Sequence, residues 1–414
     1  MKLTFDIAKT HLFSRPKQTL VAMMGVTFGI GMFIAMVSLM TGLNDMTESL
    51  AMTSSPDIRI YHDITQDRTS IVEELNPRGI NFVHHPKPKN ETQKVRNAFK
   101  IAEIIRRDPT VRGVSPQLTS QVFYNYGPVQ LGGTIAGVDI IEEDRLFGLK
   151  AKMKAGRIEN LIQDPNGIIM GTGLARKLKA QTGDRVVITT PQGFTTTLKI
   201  VGLFQMGIGA IDNIKSYASI STVQHILQKE KAYITDINIK LHDFHLAKEL
   251  APQYQKQFRY KAEDWEVANA TMLLGVIIRN ILTYSVSITL LIVAGFGIYN
   301  ILNMTIINKM KDIAILKAMG FSGGDVKQIF VIQSLAIGLA GSVLGLVIGF
   351  GLSSLIAQAP FNGGDILSIE HLPVNFKLKY YLIGIVFGVT TTALAGYMPS
   401  RKASHVDPIE ILRG

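Results

Sequence analysis

The chain has no cysteine, which excludes disulfides, thiolate metal sites and a cysteine nucleophile. It has no G-x-x-x-x-G-K-[S/T] run, so no nucleotide site of the Walker kind is encoded. H-E-x-x-H, G-x-S-x-G and any compact cluster of His, Asp and Glu are also missing. Gly171-Thr172-Gly173 with Lys177 is glycine-rich. Its spacing is wrong for a phosphate cradle, which needs stacked backbone amides at a helix start. His84 and His85 adjoin with no third ligand nearby, and a solvated loop is the simpler reading. No metal site and no bound cofactor is expected. Charge is scarce as well: charged residues make up 18% of the chain, against roughly 25% in soluble domains.

What charge there is avoids four long apolar runs. A helix needs about 20 apolar residues to cross the hydrocarbon core of a bilayer. Thr19 to Leu43, Ile281 to Ile307, Ile329 to Ala357 and Tyr380 to Met398 each lack any ionisable carboxylate, amine, guanidine or imidazole. They read as four transmembrane helices. With no titratable group inside them, a proton or ion relay through the bilayer is not expected. The first run is too long for a signal h-region and has no small-x-small cleavage site after it, so it reads as a retained anchor. Much of the excess behind the net charge of +11 flanks these runs and is not accompanied by any nucleic-acid motif; the implied partner is membrane, not nucleic acid.

Short flanking loops set the orientation. Lys2, Lys9, Arg15 and Lys17 precede the first run. Lys309, Lys311, Lys317 and Lys327 lie between the second and third, and Arg401, Lys402 and Arg413 follow the fourth. Lys377 and Lys379, between the third and fourth, are offset by Asp365 and Glu370. Both termini are therefore expected in the cytoplasm and the segment from Asn44 to Arg279 outside it. The expected division is an N-terminal amphipathic helix at 1–18, spans at 19–43, 281–307, 328–358 and 380–400, and an extracytoplasmic domain at 44–262. A stalk helix at 263–280, a cytoplasmic loop at 308–327, a short outer loop at 359–379 and a tail at 401–414 complete it.

The inserted domain mixes both element types. Asp57 to Tyr61 reads as a strand, and Gln66 to Thr92, rich in Pro, Asn, His and charge, as a long loop. Val95 to Arg107 reads as an amphipathic helix carrying Val95, Phe99, Ala102, Ile104 and Ile105, ended by Asp108-Pro109. From Val111 on, short β-branched and aromatic runs alternate with Gly and Pro. Val186–Thr190 and Phe194–Val201 flank the hairpin signal Pro191-Gln192-Gly193. Short helices are expected at Gly171–Leu178 and Ser221–Gln228, and a strand at Ile234–Leu241. Glu263 to Arg279 reads as a helix running straight into the second span. The fold class is thus four membrane helices plus an extracytoplasmic α+β domain of two lobes between helices one and two.

Small residues recur at four-residue spacing in the spans: Gly25 and Gly29; Gly341, Gly345 and Gly349; Gly384 and Gly388. They permit close helix approach, within one chain or between two. Met32, Met36 and Met40 form one stripe on the first span. It reads either as lipid-facing or packed methionine, or as a soft wall for a greasy substrate.

The loop after the second span reads Lys311-Asp-Ile-Ala-Ile-Leu-Lys-Ala-Met-Gly320. Lys311 to Met319 forms a short helix with Ile315 and Met319 on one face and Gly320 as its C-cap. Here the sequence resembles the permeases of the MacB, LolC and FtsX type, whose loop has a basic residue, an acidic residue, then Ile-Ala-Ile-Leu-Lys/Arg-Ala-Leu/Met-Gly. Asp312 stands where that family often has Glu. Gly167 to Leu178 with Gly183-Asp184, and Pro399 to Ala403 with Asp407-Pro408-Ile409 and Leu412-Arg413, extend the resemblance over nearly the whole chain.

The resemblance implies a non-catalytic permease subunit in the bacterial inner membrane. It implies a separate cytoplasmic ABC ATPase that binds ATP and Mg, and a second permease chain, identical or not. It makes Lys311, Asp312, Ile315, Leu316, Lys317, Met319 and Gly320 the coupling helix. The substrate would be a lipoprotein or other hydrophobic cargo, handed to a periplasmic carrier or adaptor. Lipoprotein release is the leading reading and tripartite efflux the alternative. Division-type signalling is less fitting, because the outer domain is large. The hairpin at Pro191–Gly193 is short where one lipoprotein-releasing subunit has a long one.

Overall fold

The computed structural model describes residues 2–14, 16–63, 93–361 and 371–405; His84, His85 and the C-terminal motif beyond His405 lie outside them. In chain order the helices of seven residues or more are α1 (Lys2–Ser14), α2 (Pro16–Ser54), α3 (Ala98–Arg106), α4 (Ile140–Phe147), α5 (Thr172–Leu178), α6 (Ile220–Ile226), α7 (Ala247–Phe258), α8 (Ala270–Asn308), α9 (Met310–Ala318), α10 (Gly323–Gln358) and α11 (Leu378–Ser404). The strands are β1 (Ile58–Tyr61), β2 (Val111–Tyr126), β3 (Val129–Val138), β4 (Met153–Gly156), β5 (Gly167–Gly171), β6 (Arg185–Thr189), β7 (Thr195–Phe204), β8 (Lys215–Ser219), β9 (Asp236–Leu241) and β10 (Lys261–Asp264). Among the described residues, one compact unit takes those up to Thr47, Thr271–Phe361 and those from His371 on; the other takes Glu48–Ala270.

The first unit is helical. Among the described residues four helices, α2, α8, α10 and α11, are long and apolar enough to cross a membrane. Even the shortest of these segments, Leu378–Lys402 with 25 residues, exceeds the roughly 20 needed. They pack around Val26, Ile30, Phe33, Ile34 and Val37 of α2, with Leu291, Ile298 and Leu302 of α8 and Tyr380 of α11. The helix expected over 1–18 stops at Ser14, and Pro16 opens α2 instead. Proline's fixed φ and missing N–H suit a helix start and not a helix interior.

The second unit is organised by β2. This strand runs unbroken for 16 residues, where the sequence suggested short separate runs. Val111–Gln117 pairs with β9, and Leu118–Tyr126 pairs with β3. Pro116 is tolerated for a local reason. Gln117 O accepts from Thr235 N–H, so residue 117 faces β9 and residue 116 faces the other edge, where β3 pairing begins only at Leu118. The missing N–H therefore costs no ladder bond. At Gly113, beside a bulge, an added Cβ would lie 2.5 Å from Leu146 of α4.

Two lobes share β2. One is the antiparallel sheet β10-β1-β9-β2. The other closes on itself: β2 pairs β3, β3 pairs β8, β8 pairs β5, β5 pairs β7, β7 pairs β6, and β6 returns to β2. Such closure removes open edges. Phe204, Tyr217, Ile169 and Leu149 anchor the larger apolar core.

Two local expectations are corrected. Helix α3 begins at Ala98, because Asn97 takes a left-handed conformation (φ 57°). Its buried face is Ala98, Ile101, Ala102 and Ile105, while Phe99 and Ile104 are exposed. The segment from Glu263 is no continuous stalk helix. Lys261–Asp264 is strand β10 on β1. Asp264 then caps a four-residue helix, Trp265–Ala268, and Asn269 interrupts it before α8. The pairing partners on β1 outweigh the helical spacing of the apolar residues.

Candidate coupling site and the faces of the spanning helices

The loop after α8 is compact. Helix α9 buries Ile313 against Ile306, Val326 and Phe330, and Ala314 is buried beside it. Lys309 and Asp312 form an ion pair at 2.6 Å. Ile315 and Met319, four residues apart, point away and are 48% and 65% exposed. Lys311 and Asp312 are exposed, and Leu316 and Lys317 half-buried. Gly320 ends the helix at φ +97°, a left-handed conformation that glycine adopts without Cβ strain. Phe321 N–H then donates back to Leu316 O at 3.2 Å.

Helix α10 starts at once with a capping box. The Ser322 hydroxyl accepts from Asp325 N–H, and the Asp325 carboxylate accepts from Ser322 N–H. The end of α11 closes the block: Lys317 Nζ donates to Ser404 O at 2.8 Å, and a methyl at Gly323 would lie 2.6 Å from that oxygen. The arrangement presents a small apolar pair on a braced helix. It can dock a partner, but it assembles no nucleophile, base or oxyanion donor.

The methionine stripe lies at the rim of the helical unit. Met32 is exposed, and Met36 and Met40 are half-buried. It continues an exposed row of Val21, Met24 and Phe28 on α2, opposite the buried Val26, Ile30 and Ile34.

The glycines divide. A Cβ on Gly341, Gly345 or Gly349 would sit 2.8, 2.9 and 2.9 Å from the Cβ atoms of Val26, Ile30 and Ile34. Thr27 Oγ1 donates to Gly341 O across the same contact. Gly29 faces Ala294 at 3.1 Å, Gly388 meets Ser342 Oγ at 2.7 Å, and Gly384 makes only ordinary contact. Gly25 has nothing within 4 Å. Sequence reading missed Gly338 and Gly396, which press on Thr392 and Ser334 of the facing helix. Counting Ser and Thr as small residues finds them: Ser334-Gly338-Ser342 and Gly388-Thr392-Gly396 keep the same four-residue spacing.

In the α+β unit, Gly171 and Gly173 are crowded by Asp212 and Asn213, which explains the glycines without a phosphate. Among the described residues no three His, Asp or Glu side chains could hold a metal. A polar cleft of about 690 Å³ is lined by Arg59, Tyr61, Thr119, Gln121 and Asp236 among others. Among its lining charges, Arg59 pairs with Asp236, and Asp63 pairs with Lys261. Deeper in, Glu143 accepts from Gln117 at 2.6 Å and Ser115 at 3.3 Å. Burial pushes its carboxyl up, against the pull of Lys215 and these bonds.

Four spanning helices, an inserted two-lobed α+β unit and a braced helix between the second and third spans define a transporter permease. Residues 19–256 match the MacB-like periplasmic core domain, and residues 284–408 match the FtsX-like permease C-terminal model. The chain belongs to this family of ABC transporter permeases, of LolC/LolE or MacB type, and is a multi-pass protein of the inner membrane. It is 24% identical over 420 residues to the lipoprotein-releasing system transmembrane protein LolC of Neisseria meningitidis serogroup B, covering 95% of this chain and 94% of that one. LolE of Haemophilus influenzae is 20% identical over 100% and 99%. The macrolide export ATP-binding/permease protein MacB of Rhodopseudomonas palustris (strain BisB18) is 22% identical, covering 92% of this chain but 57% of the relative. The crystal structure of the periplasmic region of MacB from Actinobacillus actinomycetemcomitans aligns with 54% of this chain at TM-score 0.35 and 12% identity.

Proposed function

We propose that the chain is the membrane subunit of an ABC transporter that extracts lipoproteins from the outer leaflet of the inner membrane. A separate cytoplasmic ATPase subunit binds and hydrolyses ATP with Mg, and that hydrolysis drives movement of the α+β unit; this chain binds no cofactor. Both termini lie in the cytoplasm and the α+β unit in the periplasm. The ATPase docks on α9 through Ile315 and Met319. A second permease chain completes the transporter, and Met32, Met36 and Met40 give acyl chains a deformable apolar wall. The observation that carries this reading is the end-to-end alignment with LolC of Neisseria meningitidis, 95% of this chain on 94% of that one.

The test is reconstitution in vesicles with the ATPase and an acylated lipoprotein. Release to a soluble carrier should require ATP and this chain, and an unacylated cargo should not be released. ATP-dependent movement of soluble or amphipathic compounds without lipoprotein release would favour the second reading, a MacB-type export permease with an adaptor and an outer-membrane channel. That reading draws on the short connection between β6 and β7. Only Thr190 to Phe194 separate the two strands, and Thr190 and Phe194 bond to each other across the turn, leaving little to recruit a carrier.

A further inference from the structure

The α+β unit joins the rest of the chain through the segment after α2 and the segment before α8, and one buried residue touches both. Asp57 is 4% exposed. Its N–H donates to Ile239 O, and its carbonyl accepts from Trp265 N–H, both at 2.9 Å. Its carboxylate accepts from Leu241 N–H at 2.8 Å and from Lys240 Nζ at 2.6 Å. The same ammonium donates to Met52 O at 2.6 Å. That carbonyl belongs to the last turn of α2, where helix carbonyls have no partner of their own. The end of α2, strand β9 and the start of the return path are thus tied at one ion pair.

We infer that Asp57 and Lys240 are the joint through which a displacement of either connection moves the α+β unit as one body, which makes them positioning residues for transport. This rests on the proposed function, because it presumes that ATP-driven motion reaches the unit. Apolar packing would let a helix end slide. Charge-assisted bonds to a fixed carbonyl and a fixed N–H set both distance and direction, and once buried they are either made or broken. Other ion pairs of the unit, such as Arg107–Glu103 and Lys150–Glu159, are largely exposed and constrain little.

The test uses the full chain carrying Lys240→Met, first by hydrogen exchange. The Leu241 and Trp265 amides should exchange about tenfold faster or more, while Gly183 and Ile200, bonded within the closed lobe, keep their protection. No change, or an equal change everywhere, would overturn the joint. In the complex with its ATPase, lipoprotein released per ATP should fall about fivefold or more with basal hydrolysis kept, and Lys240→Arg should restore most of it. Undiminished release per ATP beside loosened amides would also overturn it. A wild-type complex that releases no lipoprotein refutes the proposed function, and the exchange data still decide the joint. Should Lys240→Met not fold, Asp57→Asn, which keeps an acceptor for Leu241, takes its place. Failure of both to fold would leave the pair a folding element only and overturn the inference.

Discussion

The α+β unit and the helical unit keep their polar and bulky groups in opposite places. In the first, Phe204, Tyr217 and Tyr124 are fully buried, and charge taken inside is matched, as in Asp57 with Lys240. In the second, Phe28, Phe296, Val347 and Leu394 stand 64–71% exposed, and no charge lies within the four apolar runs. Some of its buried hydroxyls turn back on their own helices, as Thr392 does on Gly388 O and Thr283 on Arg279 O, while Thr27 reaches Gly341 O of the facing helix. Water drives apolar side chains inward in one unit. Lipid is indifferent to them in the other, so close backbone approach at glycine does the packing instead.

The sharpest break of this contrast is truncation of a phenylalanine in each unit. Phe204→Ala should cost about 3–5 kcal/mol of stability. Phe296→Ala should cost about 0.5 kcal/mol or less. Thermal melts of the full chain in detergent, followed by proteolysis of each unit, read both; equal losses would erase the distinction.

Adding bulk reverses the ranking. Gly345→Leu drives a side chain against Ile30 Cβ and Thr27 O and should cost about 1–3 kcal/mol or more. Gly25→Leu, with open space around it, should leave the monomer's melting unchanged. A smaller effect separates local from tertiary support in the α+β unit. The Ser219 hydroxyl accepts Thr222 N–H at the start of α6, so Ser219→Ala should cost about 1 kcal/mol, measured by denaturant titration.

The smallest effect is on acid sensitivity. The Thr110 hydroxyl and N–H, with Tyr254 behind them, donate to Asp108 and hold its carboxyl below the usual aspartate value. A depressed folded pKa contributes stability above the unfolded value of about 3.9, lost as pH falls through the folded one. Melting temperature should therefore drop on acidification below about pH 4, and Asp108→Asn should flatten part of that drop. An identical slope in the variant would remove Asp108 from the account.

Much of this architecture is legible in the sequence, for reasons that differ by region. The spans stand out because hydrocarbon tolerates no charge, and that rule needs no tertiary knowledge. The β6–β7 hairpin and the α6 helix are carried by local turn and cap chemistry. What sequence reading missed depends on distant partners. Lys261–Asp264 is a strand because β1 lies beside it, and β2 is continuous because its proline faces an unpaired edge. Within α9, Ile313 and Ile315 sit two residues apart and so on different faces; which one is buried depends on Val326 and Phe330 of the next helix. Gly338 and Gly396 escape a glycine-only pattern because their small partners, Thr392 and Ser334, are hydroxyl residues.

The most direct test of the central claim, that a separate ATPase drives this permease through α9, is lipoprotein release per ATP in the reconstituted complex carrying Ile315→Asp and Met319→Asp together. Both side chains are exposed and contribute nothing to the packed face of α9, so the four spans should fold as before. The account predicts that the ATPase no longer co-purifies and that release falls to background. An intact complex with full release per ATP would contradict it.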